Sequence, residues 1–99
     1  MARKSVEFHE EAAREVLAAL DWYLDRNALV ASRFAEQVTQ AMELIADAPQ
    51  RWPTYSHQTR KFVLRRFPFL VVYREQPNTI QILAIAHGHR RPGYWKNRV

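Results

Sequence analysis

The 99-residue chain contains no cysteine and only two glycines, Gly88 and Gly93. Without cysteine there is no disulfide framework, no thiolate nucleophile and no cysteine-held zinc, a composition that suits a reducing compartment. Two isolated glycines do not make a phosphate-cradling loop, and Ser5, Ser32 and Ser56 sit in no nucleophile motif. Acids are nearly missing from one half: Arg51–Val99 carries ten Lys/Arg against Glu75 alone, whereas Met1–Gln50 carries five against nine Asp/Glu. Paired carboxylates are therefore absent from the basic half. No apolar run approaches the ~18–20 residues of a membrane span, and Met1-Ala2-Arg3-Lys4 leads into charged residues with no apolar signal stretch. A cytoplasmic protein without membrane contact is expected.

What is present is globular in kind. Hydrophobic residues make up 47% and aromatics 12%, enough for one modest core, so residues 1–99 are expected to form one domain. The net charge of +5 is segregated into an acidic and a basic half, and a sequence pI near 10.1 suits polyanions such as nucleic acid or the ribosome, or equally an acidic protein.

Apolar periodicity gives the elements. Ala13, Val16, Leu17, Leu20 and Leu24 recur at helical spacing behind Glu10-Glu11, two acids suited to a helix start, which predicts a helix from about His9 to Arg26. Ala31, Phe34, Ala35, Val38, Ala41, Met42, Ile45 and Ala48 trace a second stripe that Pro49 stops. Strands are predicted at Ser5–His9, Lys61–Arg66, Phe69–Glu75 and Thr79–His87, with turns at Phe67-Pro68 and Gln76-Pro77-Asn78. The expected fold is α+β: a small antiparallel sheet packed by an N-terminal helical hairpin, in the order β-α-α-β-β-β. Phe69–Glu75 is apolar on both faces and so central. The hairpin hides one face; the other is roofed by the segment with Tyr94 and Trp95 or left for a partner.

The apolar strand Ile82–Ala86 breaks into His87-Gly88-His89-Arg90-Arg91-Pro92-Gly93-Tyr94-Trp95-Lys96-Asn97-Arg98, which aims cations, imidazoles and aromatic rings from the end of a buried strand. His87 and His89 alternate and reach one side, yet no spacing supplies a third ligand from His9, His57 or an acid, so neither a metal nor another cofactor is expected. Metal-free RNA cleavage needs a base, an acid and fixed cations. His87 or His89 supply the first two types, Tyr94 a second acid, and Arg60, Arg65, Arg66, Arg90 and Arg91 the cations. The same cations also form a solvated edge or a docking face for an acidic protein. Tyr94, Trp95, Trp52 and Tyr55 stack bases or, for Trp95 above all, close the core. Trp22 points away from the Ala13/Val16/Leu20/Leu24 face and is a candidate contact.

The ordered set of Trp22-Tyr23, Ala48-Pro49, Arg60, Arg66-Phe67-Pro68-Phe69, Tyr73 and Ile85 through Trp95 resembles the RelE/ParE superfamily of type II toxins over nearly the whole chain. The resemblance implies a toxin neutralised by a small antitoxin in a hetero-oligomer. RelE-like members are ribosome-dependent mRNA endonucleases with an arginine where this chain has Leu70, and with lysines where it has Trp52–Gln58. The Phe67-Pro68-Phe69 and His87…Trp95 segments resemble the ParE branch, whose members poison DNA gyrase without catalysis. The expectation is a ParE-like gyrase inhibitor, not an enzyme, whose target contacts are Arg60, Arg65, Arg66, His89, Arg90, Arg91, Tyr94 and Trp95, with Trp22 on the antitoxin. An mRNA interferase, with His87, His89, Arg90 and Tyr94 catalytic, is the alternative; a non-toxic protein-binding module of this fold is a third.

Overall fold

The computed structural model describes residues 3–99; Met1 and Ala2 lie outside it. The elements run β1 (Ser5–Phe8), α1 (Glu10–Leu24), α2 (Ala28–Asp47), β2 (Thr54–Tyr55), β3 (Thr59–Val63), β4 (Phe69–Glu75) and β5 (Thr79–His87), with a 3₁₀ turn at Lys96–Arg98. The architecture is the expected α+β one. His9 caps α1, its Nδ1 accepting from the Glu11 amide at 3.1 Å, and the Asn27 side chain caps α2 by accepting from the Leu29 and Val30 amides.

The described strands form one sheet in the order β1-β5-β4-β3-β2, so β4 is central as its two apolar faces require. β3, β4 and β5 are antiparallel neighbours, but β1 pairs with β5 in parallel, Ser5 opposite Thr79 and Phe8 opposite Ile82, which makes the sheet mixed. The second predicted strand is displaced, at Thr59–Val63, because Arg65-Arg66 leaves the ladder: Arg66 holds a left-handed φ of 67°. Before it lies the unexpected β2, joined to β3 by a tight turn with positive φ at His57 and Gln58.

Val38, Phe34 and Ile45 of α2 and Ala12 and Ala19 of α1 are buried with Val71, Tyr73, Ile80, Ile82 and Ile85 beneath the helices. Val16 and Leu20 are half-buried there, whereas Leu24, expected on the same stripe, is 50% exposed, since α1 is rotated to set its alanines against the sheet. On the opposite face Val72, Leu83, Ala84 and half-buried Leu70 lie under Trp95, Tyr94 and Tyr55. Tyr73 faces Ile82 and Val72 faces Ala84, so Leu83 is an extra residue, and this bulge lets a run of consecutive apolar residues fill both faces.

Candidate functional site

The C-terminal end of β5 meets the β3–β4 loop, tied to it by the Gly88 amide donating to the Pro68 carbonyl at 2.7 Å. This contact brings Arg65 and Arg66, both exposed, to the end of the sheet that carries His87, His89, Arg90 and Arg91. Arg60 is elsewhere. It is opposite Tyr73, four residues down β4 from Phe69, which is opposite His87; that is about 13 Å along the strand. It is also half-buried, its Nη1 donating to the Trp52 carbonyl at 2.7 Å.

His87 and His89 stack with ring centroids 5.0 Å apart, and the His89 amide donates to Nδ1 of His87 at 3.1 Å. That bond fixes the neutral His87 ring with its proton on Nε2. The edge of Phe69 supports the same ring at 5.2 Å. Among the described residues no group of three or more His, Cys, Asp or Glu side chains could hold a metal ion.

Tyr94 is committed differently. Its hydroxyl donates to Glu15 Oε2 at 2.7 Å, and Arg98 forks onto the same carboxylate at 2.9 and 3.1 Å. The second Glu15 oxygen accepts from the Ile85 amide at 3.0 Å, and Arg98 Nη1 also donates to the Leu83 carbonyl at 2.9 Å. Burial, and then the bond to Glu15, push the Tyr94 pKa well above the ordinary phenol value, so its proton is held at neutral pH. The Arg90 guanidinium covers the ring 4.0 Å from its centroid. Trp95 is 1% exposed and stacks on Tyr55 at 5.2 Å, which makes it the roof of the second face and leaves it no surface for a partner. Its indole N–H has no acceptor among the described residues, so apolar area holds it.

Trp22 is 53% exposed, with the Arg26 guanidinium 3.6 Å above its ring. It forms one wall of a groove of about 470 Å³ between α1 and the β4–β5 end, where Ala18 and Ala19 leave space opposite Phe69, Ile85, His87 and Arg90. The structure thus joins Trp22 and the basic segment in one concavity. Glu15 and Arg98 were not legible as site residues: each alone looks like a solvated charge, and they are 83 residues apart.

A model of the ParE toxin of type II toxin–antitoxin systems (parDE) matches residues 6–92. The chain belongs to the ParE toxin family. Among solved structures this ParE-family chain is similar to the chromosomal ParDE system of P. aeruginosa, with a TM-score of 0.75 and 21% identity over 86% of this chain and 96% of that one. It is also similar to a double arginine-to-alanine mutant of E. coli RelE in the free state, with a TM-score of 0.61 and 14% identity over 89% and 86%. At these identities the likeness is one of fold. No curated protein matches the sequence. No helix among the described residues is long and apolar enough to cross a membrane.

Proposed function

We propose that this ParE-family toxin acts in the cytoplasm on DNA gyrase, by binding and not by catalysis. The observation that carries the reading is the engagement of Tyr94: the phenol that would serve as an acid is held by Glu15 with its pKa raised. Leu70, where the nuclease branch has arginine, packs against the second-face core and supplies no cation for a phosphorane. Exposed Arg65, Arg66, His89, Arg90 and Arg91 then form the target surface, with the Tyr94–Trp95 pair as its support and Arg60 set apart from it along the strand. The antitoxin covers the outer side of the helical hairpin, anchored on Trp22.

An endoribonuclease is the second reading, favoured by the stacked His87–His89 pair beside exposed arginines. Induced expression without the antitoxin, with DNA breaks and RNA ends mapped in the same cells, separates the two. DNA breaks without new RNA ends, and toxicity that falls in graded fashion in Arg90→Ala and Arg91→Ala, support gyrase. Ribosome-dependent RNA ends that vanish in His89→Ala would overturn that reading. Absence of growth arrest would leave a binding module.

A further inference from the structure

We propose that the groove between α1 and the outer edge of β5 receives a short acidic segment of the antitoxin, with one apolar side chain seated between Trp22 and Phe69 and a carboxylate on Arg90. The proposal rests on the toxin reading and adds to it where, and by what chemistry, the partner is held.

The walls set the apolar part of the occupant. Ala18, Trp22, Phe69 and Ile85 line a concavity of about 470 Å³, room for a few side chains, and the alanine makes its floor open. Trp22 is held ready: Arg26 stacks on its face at 3.6 Å and donates to the Trp22 carbonyl at 2.8 Å, while Tyr23 meets the indole edge-on at 5.2 Å. An indole already fixed loses little freedom when a partner packs on it.

The charges set the polar part. Glu15 is the carboxylate among the lining residues, and Arg98 neutralises it with a two-pronged ion pair. Arg90 closes one end of the groove, and Arg26 lies over Trp22. The uncompensated charge facing an occupant is therefore positive, which favours acids and repels a basic segment. A polyanion such as nucleic acid would meet the same cations but has no apolar side chain to fill the space between Trp22 and Phe69.

The location explains how so small a contact silences the protein. β5 has β1 beside it only as far as Ile82, so among the described residues its outer edge from Leu83 onward has no partner strand, and the groove follows that edge to His87 and Arg90. A segment seated there covers the root of the basic cluster, and target and antitoxin become mutually exclusive.

The test titrates the purified chain with the full antitoxin encoded beside it and with fluorescein-labelled peptides tiling that antitoxin. Ala18→Trp fills the groove from an exposed position, Arg90→Glu reverses the charge at its end, and Asn78→Trp places the same bulk on the exposed β4–β5 turn at the opposite end of the sheet. Expected results are one acidic peptide that binds the parent, a loss of at least about thirtyfold in Ala18→Trp and about tenfold in Arg90→Glu, and a change under about threefold in Asn78→Trp. Equal binding of the full antitoxin to Ala18→Trp, with parental circular dichroism, overturns the groove and leaves the toxin reading standing. A parent chain that binds no antitoxin and arrests no growth overturns both.

Discussion

The two faces of the sheet are closed by different means. Under the helices, a 15-residue and a 20-residue amphipathic helix lay a continuous apolar stripe over Val71, Tyr73, Ile80, Ile82 and Ile85, and an aromatic group of Tyr23, Phe34, Phe67 and Phe69 fills the end with ring centroids 5.3–5.4 Å apart. On the opposite face, a short segment without regular helix or strand holds Trp95 and Tyr94 over Val72, Leu83 and Ala84, and a single carboxylate fastens it. The first closure depends on area, which many residues share. The second depends on a few directed bonds, and it is the one that carries the basic cluster. The family match over residues 6–92 includes the first closure whole but stops short of Tyr94, Trp95 and Arg98.

Breaking the helix-covered face should have the largest effect. Val71→Asp buries an unpaired carboxylate at a fully inaccessible position, a loss of roughly 4–5 kcal/mol or more, and no soluble folded protein should be recovered. Recovery of a variant that melts like the parent would refute that burial. Next comes the roof: Trp95→Ala should cost about 3–5 kcal/mol in urea unfolding, while Trp95→Phe costs far less because the indole N–H makes no hydrogen bond that could be lost.

The fastening itself should respond to a single atom change. Glu15→Gln retains an acceptor for Ile85 but leaves Arg98 with no ionised partner, an expected loss of about 2–3 kcal/mol, together with faster amide exchange from Leu83 to Ile85. Exchange unchanged at those amides would show that the tail is held by Trp95 alone.

Titration compares the two closures within one molecule, since each holds a tyrosine whose pKa burial raises strongly. Tyr73, under the helices, donates to the Pro49 carbonyl at 2.7 Å, and burial pushes its pKa up to about 12; Tyr94 is raised by burial and by Glu15. Both neutral phenols are favoured by folding, so their contribution is fully present below pH ~10, the unfolded value, and is lost as pH rises through the folded values. Unfolding followed between pH 8 and 12 should show an alkaline loss that is reduced in Tyr94→Phe.

The smallest effect lies at the sheet margin. Lys4 donates to Glu75 at 2.7 Å and holds that carboxyl below its ordinary 4.5, with further help from Gln50. This contribution is present above that value and lost as pH falls below it, so Lys4→Met should lower stability by a small amount from about pH 5 upward and lessen the loss seen on acidification.

The same contrast explains what was legible. Both helices, the central place of Phe69–Glu75 and the exposure of Trp22 follow from period and apolar phase, which are local signals. The roof by Tyr94 and Trp95 was one of two options, and choosing between them required knowing that a carboxylate on α1 reaches the tail. The parallel pairing of β1 was not legible, because four residues carry no mark of direction and their partner is Thr79–Ile82. Nor was β2: its turn uses His57 and Gln58 at positive φ, where asparagine and glycine are the usual signal. Arg60, read as part of the basic surface, looks from sequence like Arg65 and Arg66; only the register sets it apart from them.

The clasp also governs timing. Glu15 and Arg98 stand 83 residues apart, and β1 must wait for β5 before it can join the sheet. Such long-range closure is slow and comes late in folding. On a translating ribosome, the helical hairpin can collapse as soon as it emerges, but the clasp that fastens Tyr94 and Trp95 over the second face cannot close until Arg98 has followed it out.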